Sequence, residues 1–424
     1  MRASPCFAAN PHGTVFAYRS LPQPAQPHHF MNKLSAVAVI IALFCSSPAP
    51  AREPQTPPPA QTAIRARALG IPFEGTPGPN NAITDVAGVT VGVTTLISGE
   101  GKLEVGKGPV RTGVTAILPR GEASFNDPVY AGYFSLNGNG EMTGIAWLEE
   151  GGFLEGPVVI TNTHSVGVAR DAVISWRVSK GGPDPTGFVW SLPVVAETWD
   201  GFLNDINGFH VKPEHVTAAL DSAKGGPVPE GSVGGGTGMV CYEFKGGNGT
   251  ASRIVKTKES SYTVAAFVQA NFGRRGQLTI AGVPVGKEIP ENAVYSKDAG
   301  SIIVVIATDA PLLPHQLKRL ARRASLGVAR TGSVSGNGSG DLFIAFSTAS
   351  PGAADPGKPV QTVGTIPNDR LDPIFNATVQ SVEEAIVNAL VANQSMTGID
   401  GRRVDALPHD RLRAALKKYN RLAP

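Results

Sequence analysis

Cysteine is almost absent from this chain: Cys6, Cys45 and Cys241 are the only three. Two of them lie within the first fifty residues, so the body of the protein holds one thiol and no internal disulfide framework. Histidine is sparse as well. Past the N-terminal region only His164, His210, His215, His315 and His409 remain, and no two share the i, i+4 spacing of a helical zinc site. No metal and no cofactor is therefore expected. Charged residues make up 17% of the chain and the formal net charge is +3, too little to argue for a nucleic-acid partner. The run Gly234-Gly235-Gly236-Thr237-Gly238 lacks both the dinucleotide-fingerprint spacing and the P-loop lysine. No serine stands in a GxSxG elbow between a strand and a helix.

Long apolar runs are missing too. The stretch Leu34 to Phe44 is too short to span a bilayer. Preceded by Met31-Asn32-Lys33 and followed by Ala49-Pro50-Ala51, it has the layout of a secretory signal peptide. Residues 1–51 are thus expected to be upstream sequence and signal peptide, with translation starting at Met31. The mature protein is expected to be periplasmic or secreted and free of the membrane. Residues 1–51 contribute Arg2, Arg19 and Lys33 and no acid, so the remainder balances 34 basic against 34 acidic residues. Residues 52–64, rich in Pro, Gln and Ala, read as an extended leader. From residue 65 to 424 the composition is uniform, with no internal repeat, and a single catalytic domain is expected there.

What the chain does have is apolar mass and glycine. Hydrophobic residues are 42% of it, enough to bury a core. Its 50 glycines and 35 prolines point to many tight turns and close backbone approaches in a β-rich body. Strands are expected at Val89–Ile97, Val114–Leu118, Val158–Thr161, Val264–Ala270, Ile302–Ala307 and Leu342–Phe346. Helices are expected over Val166–Val178, from Pro213 to before Gly225-Gly226, over Leu313–Ala329, and over Asp410–Tyr419. Asp372-Pro373 reads as a cap and first-turn pair opening a further helix to Val391. Lys318, Arg319, Arg322 and Arg323 fall mostly off the apolar face of their helix and read as a solvated face. Cys241 reads as a small buried residue in a strand. The pattern suggests a layered α/β or α+β architecture.

Three polar, glycine-rich segments remain. Ala299-Gly300-Ser301 precedes the apolar strand Ile302-Ile303-Val304-Val305-Ile306. Ser333-Val334-Ser335-Gly336-Asn337-Gly338-Ser339-Gly340-Asp341 leads into another. The third is Lys245-Gly246-Gly247-Asn248-Gly249-Thr250. Read from spacing alone, each is a turn that presents hydroxyls, an amide or a carboxylate.

Several motifs together resemble a known family, from about Arg67 to Arg421. They are Asn81-Ala82-Ile83-Thr84-Asp85-Val86, Ser232-Val233-Gly234-Gly235-Gly236-Thr237-Gly238-Met239, Phe244-Lys245-Gly246-Gly247, the block from Gly300 to Leu312, and the block Ser333 to Asp341. In these the chain resembles the DmpA-like L-aminopeptidase/D-amidase/D-esterases and the β-aminopeptidases, self-processing hydrolases with an N-terminal serine nucleophile. The resemblance implies an α+β fold of four layers, αββα, and a precursor that cuts itself before a serine, here at Gly300–Ser301. That cut would yield an α chain of residues 52–300 and a β chain of residues 301–424. A homotetramer of αβ units is implied as well.

The implied chemistry is consistent with the residues present. A serine hydroxyl needs a base within reach. Cleavage would supply one, the new α-amino group of Ser301, whose ordinary pKa is about 8. Gly300 would let the Ser301 hydroxyl approach the preceding carbonyl. By resemblance, Ser339 and Asp341 orient the amino group of the nucleophile, and Asn271 is the oxyanion donor. Asp341 stands where some relatives have Glu. Glu197 would meet the free amino group of the substrate, making the enzyme an exopeptidase. Trp199 stands where relatives carry Tyr, so a second oxyanion donor would be lost there. Lys245 is either structural or polarises the scissile region. The expected substrates are short peptides, amides or esters with small N-terminal residues, L-configured and within the family also D- or β-. Rival readings are an endo-amidase on linear oligoamides, a processed but non-enzymatic periplasmic binding protein, and an acyltransferase.

Overall fold

The computed structural model describes residues 64–181, 186–295 and 300–423. The chain divides into two units, residues 1–58 and 59–424. The expected signal peptide and the leader up to residue 63 lie outside the described residues.

Short apolar runs bounded by glycine build two sheets. The first has four strands, β1 (Thr90–Ser98), β2 (Val110–Glu122), β5 (Val158–Asn162) and β6 (Val194–Thr198), in the order β1-β2-β5-β6. The second has six: β3 (Val129–Gly138), β4 (Phe153–Leu154), β9 (Gly247–Lys256), β10 (Ser261–Asn271), β11 (Ser301–Thr308) and β12 (Gly340–Ser347). Their order is β4-β3-β12-β11-β10-β9. All neighbours in it are antiparallel except β11 and β12. A small hairpin, β7 (Val240–Cys241) and β8 (Phe244–Lys245), stands apart.

Alternation along the strands sorts side chains into layers. From β11, Ile303, Val305 and Ala307 meet Phe267 of β10 and Ile117, Ile160 and Ala196 of the other sheet. The intervening Ile302, Val304 and Ile306 face a different core. That core is closed by α5 (Pro314–Arg330), α6 (Asp372–Val391) and α7 (His409–Lys418) through Leu317, Leu320, Ile386 and Leu412. Outside the four-stranded sheet, Val114, Val159 and Val195 pack against α2 (Val166–Lys180) and α3 (Pro213–Asp221). Two short helices, α1 (Ile145–Gly151) and α4 (Val285–Glu288), fall between β3 and β4 and between β10 and β11 in chain order. The result is α+β in four layers, helix, sheet, sheet, helix, as the resemblance implied. With helices on one face and a sheet on the other, β11 is buried at every position.

The Asn81 motif seals the edge strand β9. Ile83 N–H donates to the Thr250 hydroxyl at 2.8 Å, and Ser252 N–H donates to Asn81 Oδ1 at 2.9 Å. The Ser252 hydroxyl in turn donates to Asp85 at 2.6 Å. An open strand edge is thereby covered by buried polar contacts.

Among the described strands of five or more residues, three escape the sequence pattern: β3, β6 and β9. The most instructive is β9, because the stretch from Gly247 to Thr250 reads as a turn yet forms the start of a buried strand. Its glycines are packing positions. A Cβ on Gly249 would stand 2.0 Å from the Ala385 carbonyl oxygen of α6, so only glycine lets helix and strand approach this closely. Helix ends also shift by a residue. Asp372 is the first residue of α6 rather than its cap, a place held by Leu371 without a side-chain bond. The last helix runs from His409 to Lys418. Cys241 lies buried in β7, as expected.

Phe267 is fully buried between the two sheets. Phe267→Ala is expected to lower unfolding free energy by about 3–5 kcal/mol in chemical denaturation. A loss under about 1 kcal/mol would mean the inter-sheet core is not tightly packed.

Candidate active site

One end of the six-stranded sheet gathers polar residues from four adjacent strands. Asn271 ends β10 and faces Ser301, which begins β11. On the other side of β11, Ile302 is in register with Asp341 of β12, and Asp341 with Asn137 of β3. The register shifts between Asp341 and Leu342, a bulge of the kind that re-aims side chains beside functional sites. Four segments far apart in sequence therefore meet because of strand pairing alone.

Gly300 is demanded by this pairing. A Cβ there would lie 1.8 Å from the Asn271 carbonyl oxygen and 3.1 Å from Phe272 Cα. The reason differs in kind from freedom to kink: the chain entering β11 runs hard against the end of β10.

Ser301 is 4% exposed, and its Oγ accepts from Gly340 N–H at 3.1 Å. No histidine among the described residues hydrogen-bonds to it. Behind it the Ser339 hydroxyl donates to Asp341 Oδ1 at 2.6 Å, and both residues are buried. Asp341 N–H donates to Asn137 Oδ1 at 3.1 Å. The Asn137 amide then donates to the carbonyls of Ser335 and Gly336, at 3.1 and 3.0 Å. Asn139 donates to the Gly338 carbonyl at 2.8 Å. Two asparagines of β3 and the turn after it thus pin the Ser333–Ser339 loop over the strand ends.

Asn271 is buried with both ends of its amide engaged. Oδ1 accepts from Val240 N–H at 2.7 Å, and Nδ2 donates to the Trp199 carbonyl at 2.8 Å. These partners fix which end is oxygen. Lys245, also fully buried, donates from Nζ to the carbonyls of Met239 and Gly246, at 2.9 and 2.7 Å. Neither is the Gly300 carbonyl, the one that the family resemblance implies is cut. Burial pulls the Lys245 amine down to about 7. Burial pushes the neighbouring Cys241 thiol up, which keeps it protonated.

The facing wall comes from the other sheet. Glu197, in β6, is 3% exposed. Its carboxylate accepts from Glu141 N–H at 3.0 Å and, through a short bond, from the Thr163 hydroxyl. Burial raises the Glu197 carboxyl above its ordinary range, and the Thr163 hydroxyl and Glu141 N–H only partly offset this. A cleft of about 280 Å³ is lined by Ser301, Gly300, Glu197, Trp199, Thr163, Asn139 and Gly338. A larger cleft of about 450 Å³ beside Glu243, Arg274, Arg275 and Lys287 contains none of these residues.

The structure therefore brings Ser301, Gly300, Glu197 and Trp199 onto one cleft, with Ser339, Asp341 and Asn271 packed behind the serine. Lys245 sits further back, beyond Asn271. Sequence reasoning missed Thr163, Asn137 and Asn139. The alternation Asn137-Gly138-Asn139-Gly140 was the available signal for the latter two; Thr163 gave none, since its partner lies 34 residues away.

Known proteins are similar to this chain in sequence and in fold. The Peptidase family S58 profile matches residues 81–404. The beta-peptidyl aminopeptidase BapA of Sphingosinicella microcystinivorans is 56% identical over 409 residues, covering 93% of this chain and 99% of the relative. The protein of the same name from Sphingosinicella xenopeptidilytica is 50% identical over 368 residues, covering 83% and 91%. Among solved structures, an L-aminopeptidase D-Ala-esterase/amidase from Ochrobactrum anthropi, a prototype serine aminopeptidase with a variant Ntn-hydrolase fold, superposes with a TM-score of 0.80. It is 52% identical and the match covers 85% of this chain and 99% of that one. A Burkholderia sp. beta-aminopeptidase matches with a TM-score of 0.78 at 48% identity, over 84% and 99% of the two chains.

Two outcomes follow from this geometry. Gly300→Ala is expected to disturb the β10–β11 junction and to block the cut before Ser301 that the family resemblance implies, read as a single band on a denaturing gel; normal two-chain material would show that the junction has slack. Glu197 is a carboxyl raised by burial, so its ionisation opposes folding. Stability of the wild type should fall as pH rises from the ordinary carboxyl value of 4.5 through the raised one, and Glu197→Gln should lack that fall. Melting temperatures of both proteins across that range decide it, and parallel curves would refute the raised value.

Proposed function

The chain belongs to peptidase family S58 and is a serine aminopeptidase of the Ntn-hydrolase fold, and from that premise we propose that it cuts itself at Gly300–Ser301 and then releases N-terminal residues through an acyl-enzyme on Ser301. The proposed substrates are short peptides, amides and esters. β-Amino residues are included because two relatives at 56% and 50% identity are beta-peptidyl aminopeptidases. Export and assembly into a homotetramer of αβ units belong to the same proposal; they rest on the N-terminal sequence and the family resemblance.

In the cutting step the Ser301 hydroxyl oxygen attacks the Gly300 carbonyl carbon. The C–N bond breaks, the Ser301 nitrogen takes up the hydroxyl proton, and water then cleaves the ester. The freed α-amino group becomes the base for turnover. It accepts the hydroxyl proton as Oγ attacks the substrate carbonyl and returns it to the leaving amine. Water, deprotonated by the same group, releases the product. Asn271 Nδ2 is assigned to the oxyanion, a contribution of roughly 10²–10³ in rate. Ser339 and Asp341 hold the region of the new amine.

The observation that carries this reading is the placement of Ser301 and Glu197 on one cleft. Ser301 Oγ rests on a backbone N–H, and Glu197 presents a carboxylate to which no cationic side chain among the described residues is bonded. A buried carboxylate with space before it suits a substrate ammonium, which favours an exopeptidase over an endo-amidase.

The test is the intact mass of the purified protein under denaturing conditions, beside Ser301→Ala. The wild type is expected as two chains, one beginning at Ser301, and the variant as one. The wild type should hydrolyse alanyl and β-homoalanyl p-nitroanilides, and the variant neither. A folded wild type that stays uncut would sink the nucleophile assignment. Two-chain protein active only on α-residues would remove the β-residues from the proposal.

A further inference from the structure

Lys245 occupies a hairpin whose backbone is strained. The β7–β8 turn is made by Tyr242 and Glu243, with φ of 51° and 62°. Two-residue hairpin turns of that conformation are usually Asn-Gly or Asp-Gly. Bulky residues hold it only where their surroundings enforce it, and such enforcement gathers at functional sites. Here the enforcement is visible. Tyr242 N–H donates to the Phe272 carbonyl at 2.7 Å, and the Tyr242 and Thr331 hydroxyls share a bond of 2.7 Å. The Glu243 carboxylate accepts from the N–H groups of Arg275 and Tyr295, each at 3.0 Å.

The product of this hairpin is one register: Val240 opposite Lys245. The Lys245 amine reaches the Met239 carbonyl, which also accepts from Gly246 N–H at 2.9 Å. The same peptide group, Met239–Val240, donates its N–H to Asn271 Oδ1 at 2.7 Å. Two donors on the oxygen of a peptide hold it still and strengthen its N–H as a donor. Among the described residues Lys245 has no ion-pair partner. A buried amine bonded only to carbonyls adds little stability, so its use lies in what those carbonyls fix.

We propose that Lys245 is a positioning residue for the oxyanion donor: through the Met239–Val240 peptide it locks the Asn271 amide with Oδ1 inward and Nδ2 on the side of Trp199 and the cleft. This rests on the assignment of Asn271 as that donor. It gives Lys245 a role in turnover and in self-cleavage without contact with the reacting atoms.

The experiment is a double-mutant cycle on the processed enzyme with alanyl p-nitroanilide, using Lys245→Met, Asn271→Ala and both together, with melting temperatures recorded. Lys245→Met is expected to lower kcat about 10- to 100-fold with KM held within about 2-fold. Asn271→Ala is expected to lower kcat about 10²- to 10³-fold. The double variant should be no slower than Asn271→Ala by more than about 2-fold, because both changes remove the same interaction. Multiplying losses, a loss confined to KM, or an unchanged kcat in Lys245→Met would each overturn the positioning role. If Asn271→Ala keeps full kcat, the oxyanion assignment itself fails, which is a different result from multiplying losses. Should Lys245→Met not fold, Lys245→Gln, which keeps one donor, is expected to show an intermediate kcat, and wild-type kcat there would overturn the role. Variants that process slowly are compared by their first-order rate of self-cleavage, with the same fold-losses and the same non-additivity expected.

Discussion

The antiparallel pairing of β10 with β11 sets how closely Asn271 and Ser301 approach, and the rest of the site is arranged around that junction. The pairing is tight because Gly300 lies against the Asn271 backbone, where no side chain fits. It is rigid because both strands are buried on both faces. On the proposed function Ser301 and Asn271 are a nucleophile and an oxyanion donor, which need to be held to a fraction of an ångström, and two central strands do this better than loops would. The adjacent strand β12 supplies the N–H on Ser301 Oγ by the same means.

Burial governs the chemistry of the site. Glu197 and Lys245 are both enclosed, and neither has an ion-pair partner among the described residues. Enclosure raises the acid above its ordinary range and lowers the base to about 7. Such groups are costly to keep. For Glu197 the compensation, on the proposed function, is a place for a substrate ammonium; for Lys245 it is the ordering of two backbone carbonyls. Cys241, the one cysteine of the described chain, lies beside Lys245 with its thiol suppressed by the same burial.

The two walls of the cleft belong to different sheets. Ser301 and Gly300 come from the six-stranded sheet, Glu197 and Trp199 from the end of β6 in the four-stranded one. The inter-sheet core of Phe267, Ile303, Ile160 and Ala196 therefore sets the width of the cleft as well as the stability of the fold. Asn271 crosses that boundary directly, donating to the Trp199 carbonyl. The two walls of the cleft are thereby tied together through the packing that holds the sheets.

Much of this was legible in the linear chain. Apolar strands such as Ile302–Ala307 and amphipathic helices such as Leu313–Ala329 announce themselves by period, because burial of one face is a local property. The serine after Gly300, the Ser339–Asp341 pair, Asn271 and Glu197 were all named through the family resemblance, not from spacing alone. The strand β9 was not, since its glycines mimic a turn until α6 is set against them. Nor were Thr163, Asn137 and Asn139, whose partners are distant in sequence or carried by a loop. The sequence by itself determined which residues are apolar, which are small and where a nucleophile could be uncovered. Only the tertiary structure decided which carboxylate faces Ser301, why Gly300 has to be glycine, and what the Lys245 amine holds, because those depend on strand register and sheet-on-sheet packing between residues that the chain itself keeps far apart.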